Sequence, residues 1–328
     1  MVTKYHKGRH SLFLYNSEIF YAFTQDILRS PLFGLGGILA QPLLSEQVLT
    51  PQQIVLLRLL IGGAMLLLYR NLFFKQARKG TKKIWTHWRI LTRIMIYGIA
   101  GLCTAQIAFF SAINYSNAAV ATVFQSTSPF ILLVFTALKA KRLPSLLAGM
   151  SLISALMGIW LIVESGFKTG LIKPEAIIFG LIAAIGVILY TKLPVPLLNQ
   201  IAAVDILGWA LVIGGVIALI HTPLPNLVRF SKTQLLAVLI IVILATVVAY
   251  DLYLESLKLI DGFLATMTGL FEPIGSVLFG MLFLHQILVP QALVGIILVV
   301  GAIMILNLPH HITAPVPSKP CQCTMPNQ

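Results

Sequence analysis

Val204–His221 reads VDILGWALVIGGVIALIH, a run in which nothing between Asp205 and His221 carries charge. As a helix rising 1.5 Å per residue, it spans roughly 27 Å, close to the thickness of a bilayer's hydrocarbon core. Asp205 opens the run, where a carboxylate suits the positive end of a helix, and it reads as a capping group.

Comparable runs recur in both directions. Before it lie Asp26–Leu44, Pro51–Tyr69, Ile90–Asn114, Ala118–Leu138, Ser145–Val163 and Glu175–Leu193. After it come Gln234–Leu257, Phe263–Leu284 and Val289–Asn307. Pro, Gly or charge bounds each one. The expected fold is all-α and polytopic, with ten transmembrane helices. Residues 1–25 form a polar and aromatic lead-in, 164–174 a linker, and 308–328 a Pro-rich, disordered tail. Ser11–Tyr15 is too short for a signal-peptide core and Glu18 follows it, so no cleaved signal is expected.

Composition agrees. Of 328 residues, 58% are hydrophobic and 10% charged, which leaves too little polar surface to clothe a soluble globule. The net charge of +13 would suit nucleic acid in a soluble protein. Here the basic residues fall between apolar runs, where membrane topology puts them, and nucleic acid is not an expected partner. On ten spans, eighteen Lys and Arg lie on the side of both termini, eight of them from Arg70 to Arg93. Lys168, Lys173, Arg229 and Lys232 lie opposite, and Arg58 lies inside a span. That bias puts both termini in the cytoplasm of a multi-pass protein, expected in the bacterial inner membrane.

The chain also echoes itself. A shift of 144 residues carries 111–162 onto 255–306, so that Ala121-Thr122 meets Ala265-Thr266 and Pro129 meets Pro273. Each half, 26–163 and 175–307, holds five spans. An odd number makes the second half enter the membrane in the opposite sense, giving two inverted five-helix repeats, a frequent design in secondary transporters.

Leu49-Thr50-Pro51 with Arg58-Leu59-Leu60 resembles the second-span signature of the EamA family, within the drug/metabolite transporter superfamily. Tyr250–Pro273, with Leu257-Lys258 and Phe271-Glu272-Pro273, is similar to its eighth and ninth spans. The resemblance covers roughly 26–308. It implies a ten-helix transporter with a cavity between its halves, working without ATP on amino acids, nucleotide-type metabolites or other small organic solutes. Two features depart from the family pattern. Phe33-Gly34 stands where Trp-Gly is frequent, and Lys141-Arg142 and His285-Gln286 stand where a Gly-Glu pair often closes the fourth and ninth spans.

Ionisable groups at membrane depth ask for a reason, since each costs at least about 2.5–3.5 kcal/mol. Asp251 lies deep in the eighth span and is a candidate for proton coupling or for pairing with a substrate amine. Glu255 and Lys258 read as an interfacial ion pair. Glu272 is either a substrate group or a helix-packing one, and Arg58 must pair with a carboxylate, Glu272 being one possible partner, or with carbonyls, or reach water. Gln106, Gln125 and Tyr250 are expected to face the cavity, with Phe110 as an apolar wall. Pro129 and Pro273 each remove a backbone hydrogen bond and are matched candidates for hinges. Gly34, Gly36 and Gly37 read as close helix contacts.

There is no phosphate loop of the G-x-x-x-x-G-K-[ST] kind, and the histidines have no metal-ligand spacing. A soft-metal site at His310, His311, Cys321 and Cys323 is the weaker reading of the tail. No cofactor is expected. The function expected is secondary transport of a small metabolite, amino acid or related solute by alternating access, with proton coupling at Asp251. A facilitative exchanger or channel of the same fold, and a membrane-embedded lipid-modifying enzyme, stand as alternatives. The expected partners are a small-molecule substrate and the lipid bilayer, with a homodimer left open.

Overall fold

The computed structural model describes residues 28–73, 77–141, 145–168, 170, 172–258, 271–285 and 289–306, and every regular element among them is helical. The lead-in, Asp26, the tail with its histidines and cysteines, and 259–270, which includes the first part of the ninth span, lie outside these residues. The chain runs through α1 (28–45), α2 (Pro51–Phe73), α3 (Ala77–Thr86), α4 (Trp88–Asn114), α5 (Ala118–Gln125) and α6 (Ser128–Ala140). It continues through α7 (Leu146–Lys168), α8 (Pro174–Lys192), α9 (Ala203–His221), α10 (Lys232–Ser256), α11 (Phe271–Leu284) and α12 (Pro290–Leu306).

Among the described residues, seven stretches are long and apolar enough to cross a membrane: Pro51–Leu72, Trp88–Asn114, Ala118–Lys139, Leu146–Ser165, Pro174–Leu198, Ala203–His221 and Lys232–Ser256. Gly275–Leu284 and Pro290–Ala302 are shorter apolar helices. α1 is not among the seven because Arg29, Ser30 and Gln41 interrupt its apolar sequence, and Arg29 and Ser30 are buried inside the protein. Gln41 accepts a hydrogen bond from the Ala118 amide at 3.0 Å, tying α1 to the start of α5.

Helices associate in lipid through close contact, because tails are as apolar as leucine side chains. Accordingly α2 lies along α9, α7 along α12 and α4 along α8. At the α7–α12 crossing a Cβ on Gly158 would lie 2.5 Å from the Gly295 carbonyl oxygen, and one on Gly295 would lie 2.6 Å from that of Gly158. Gly98 and Gly214 face each other's neighbourhood across α4 and α9 in the same manner. Gly34 and Gly36 also make close approaches, to α11 and to Ala245, whereas Gly37 has ordinary contacts.

Three features differ from the reading of the sequence. The stretch expected as a loop after α2 holds the helix α3, anchored by fully buried Ile84. The fourth span is broken rather than kinked: α5 ends at Gln125, Thr127 donates its hydroxyl to the Phe124 carbonyl at 2.7 Å, and Pro129 sits in the first turn of α6. There its missing N–H costs little, because first-turn amides have no partner within the helix. Asp205 is not the N-cap of α9, which is Ala202; it is buried and ion-paired with Arg70 from the end of α2.

Two features recur in both halves, the first at the 144-residue shift and the second within two residues of it. Lys141 and His285, which follow α6 and α11, both adopt the left-handed backbone, φ 49° and 48°. α4 and α10 each contain a π-helical stretch, at Tyr97–Cys103 and Ile243–Val248. Inside or beside each, a threonine hydroxyl donates to the carbonyl five residues back, Thr104 to Ile99 and Thr246 to Ile241, both at 2.9 Å.

Candidate substrate site

Gly34 brings α1 against α11 at Glu272. A Cβ there would stand 2.9 Å from the Glu272 carbonyl oxygen and 3.0 Å from the Ser276 nitrogen. This approach sets Phe33 edge-on to Tyr250 of α10, with ring centroids 4.8 Å apart. Glu272 itself is buried, and its two carboxylate oxygens accept from the Gln125 amide nitrogen at 3.2 and 3.3 Å. The break after Gln125 ends α5 where its side chain reaches α11.

Arg58 is buried in α2, and its hydrogen-bond partners among the described residues are a hydroxyl and a carbonyl, not a carboxylate. Its Nε donates to Thr246 Oγ1 and a terminal nitrogen to the Ala245 carbonyl, both at 2.7 Å. Both acceptors lie in the π-helical stretch of α10, where the wider turn departs from the usual i to i−4 pairing and turns polar atoms toward α2. The guanidinium also lies over the Phe110 ring, 4.9 Å from its centroid. Phe110 is therefore a support for Arg58 and is not part of the cavity lining.

Two small polar cavities meet at Glu272. The first is lined by Arg58, Gln106, Gln125, Tyr190, Tyr250 and Glu272, with Phe33, Ala105 and Phe109 as its apolar part. The second is lined by Arg29, Gln125, Ser126, Ser128, Tyr253 and Glu272, with Tyr190 and Val187. Each encloses about 20 Å³, room for about one water. Along α1 the lining passes from Arg29 to Phe33, and along α10 from Tyr253 to Tyr250. The cavities are thus stacked along the helix axes, and Gln125, Tyr190 and Glu272 belong to both.

Of the residues singled out from sequence, the structure gathers Arg58, Gln106, Gln125, Tyr250 and Glu272 around the first cavity. Gln106 is 3% exposed, and neither of its amide atoms has a hydrogen-bond partner among the described residues. Asp251 lines neither cavity; one of its carboxylate oxygens is buried without a hydrogen bond among the described residues. Glu255 and Lys258 form the expected pair at 2.5 Å. Pro273 lies in α11 beside Glu272, and the residues just before that helix fall outside those described.

Sequence reasoning did not single out Arg29, Tyr190 or Tyr253 for this site. By sequence Arg29 is one of the eighteen basic residues on the side of both termini; in the structure it is 3% exposed, and its guanidinium lies 4.0 Å from the Tyr253 ring centroid. Its burial was detectable only as an arginine inside an otherwise apolar stretch. No cluster of three or more His, Cys, Asp or Glu that could hold a metal occurs among the described residues.

Fold and site together define a multi-pass helical membrane protein with a narrow, charged pocket between its helices. The chain belongs to the EamA-like transporter family, which matches residues 27–164 and again 175–308. It is 27% identical over 286 residues to an uncharacterized inner membrane transporter, YicL, of Salmonella typhimurium (strain LT2), covering 86% of this chain and 93% of that one. A crystal structure at 20% identity superposes with a TM-score of 0.58 over 89% of this chain and 96% of its own, a likeness of fold.

Proposed function

We propose that this protein is a secondary transporter that carries a small metabolite, amino acid or related organic solute by alternating access, with Glu272 at the centre of its binding site. The observation that carries this reading is the position of Glu272, a wall of both polar cavities, with Arg58 on one side and Arg29 on the other. A cavity that holds about one water is closed to a solute, so binding requires the helices to part. Parting toward the first cavity or toward the second would expose the same carboxylate to opposite membrane faces.

The chemistry of the lining suits a solute with both an anionic and a cationic end. Arg58 presents a fixed positive charge, Glu272 a negative one, and the buried Gln106 amide, close to Tyr250, adds a polar group that can donate and accept. In this reading ten spans form two inverted five-helix repeats, 26–163 and 175–307, with both termini cytoplasmic. The matched left-handed residues and matched π-helical stretches support that arrangement. Proton coupling has two candidate carboxylates. Asp251 lines neither cavity, so the proposal assigns coupling to Glu272 and not to Asp251.

A thermal-shift screen of the purified protein against amino acids, nucleotides and amines identifies the solute, since a ligand of the folded state raises apparent stability. Flux of that solute in proteoliposomes then tests the function. Saturable uptake accelerated by solute preloaded inside supports the proposal. Flux that neither saturates nor exchanges means a channel, and conversion of the solute to a product means an enzyme.

A further inference from the structure

α3 and the first turns of α4 form a basic surface whose exposed cations, Lys82, Arg89 and Arg93, have no carboxylate partner among the described residues. Between Arg70 and Arg93 the chain carries eight Lys and Arg, and no Asp or Glu occurs anywhere from 47 to 163. Lys82, Arg89 and Arg93 are exposed, with Trp85 at 52% and Trp88 at 71% exposure beside them. The Arg89 guanidinium sits 5.9 Å from the Trp88 ring centroid. The inner side is fixed: Ile84, Ile90 and Ile94 are buried, and Trp85 meets Trp209 of α9 edge-on at 5.1 Å.

We propose that this surface binds the headgroups of anionic phospholipids. Exposed tryptophans at the start of an apolar span mark the level where hydrocarbon meets water. Lys82, Arg89 and Arg93, held at that level with no carboxylate partner among the described residues, are complementary to phosphate in the same plane. A soluble acidic partner would match the charge but would leave the two indoles without an apolar environment.

The surface is also tied to the interior. Arg70 donates to Thr81 Oγ1 of α3 at 2.7 Å and is ion-paired with Asp205 of α9. Lys83 donates to the Gln200 carbonyl just before α9, at 3.3 Å. Lipid held on α3 therefore bears on the contact between α2 and α9, which joins the two halves of the chain.

The test uses the full chain with Trp160→Phe, reconstituted in phosphatidylcholine containing either brominated phosphatidylglycerol or brominated phosphatidylcholine. Bromine quenches nearby indole fluorescence. The expected result is stronger quenching by the anionic lipid, fitting an association preference of about fivefold or more for each cation engaged. Lys82→Gln, Arg89→Gln and Arg93→Gln together should abolish the preference. High salt should weaken it in the chain that keeps all three cations, a measurement that does not depend on how the triple variant folds. Equal quenching by both lipids overturns the proposal. So does a preference that survives the triple substitution, or one that inorganic phosphate competes away, which would mean a site for a soluble anion.

Discussion

The Gln125 amide nitrogen lies 3.2 and 3.3 Å from the two carboxylate oxygens of Glu272, joining the end of α5 to α11 across 147 residues of sequence. These two side chains and Tyr190 are the shared wall of the two polar cavities. Helix α5 stops here because the backbone turns at Ser126 and Thr127, and the break delivers an amide donor to a buried carboxylate.

Glu272→Gln keeps the volume and a hydrogen-bonding oxygen but removes the charge. Solute exchange in proteoliposomes should fall by at least tenfold, about 1.4 kcal/mol, and lose its dependence on pH. Asp251→Asn should retain both the rate and the pH profile, because Asp251 faces neither cavity. The reverse pattern would return the coupling role to Asp251.

Arg70 and Asp205 are buried at 5% and 7% side-chain exposure. Arg70→Met should lower stability by about 3–5 kcal/mol, since it strands a buried carboxylate, and adding Asp205→Leu should restore most of the loss. Unfolding of the single and double variants in detergent measures this. Additive losses would show that the two charges are not coupled.

Lys141 and His285 hold φ near 49° and 48°, a conformation that a Cβ disfavours by about 1–2 kcal/mol. Lys141→Gly and His285→Gly should each stabilise the protein by about 0.5–1 kcal/mol. A fall in melting temperature for both would contradict the geometry.

The α7–α12 crossing gives a steric test. Gly158→Leu places a side chain 2.5 Å from the Gly295 carbonyl oxygen and should cost about 1–3 kcal/mol or more. Gly149→Leu, in the same helix with nothing within 4 Å of its Cβ, should be tolerated. Thermal unfolding distinguishes the two, and equal behaviour would rule out the close contact.

Much of the helix layout was legible because apolar length and bounding residues are local properties, as Val204–His221 illustrates. The pairing of Glu255 with Lys258 was legible for the same reason, a spacing of three residues. The partners of Arg58 were not: Thr246 and the Ala245 carbonyl become available through a π-helical turn, which leaves no mark in residue type. Arg29 was misread because its depth is set by Phe33 and Tyr253, and Tyr253 is far away in the chain. Asp205 looked like a cap because the residue that pairs with it lies 135 positions earlier. α3 was missed because one buried isoleucine among lysines is a weak periodic signal, and tertiary contact with α9 supplies the rest.

The central claim is that the two cavities are alternate vestibules to one carboxylate. In a chain with Cys103, Cys321 and Cys323 replaced by serine, Gln106→Cys and Ser128→Cys place single thiols in the first and second cavity. A membrane-impermeant maleimide is then applied to each face of sealed vesicles. The account predicts that each thiol reacts from one face only, and that the two faces are opposite. Labelling of both positions from the same face would contradict it.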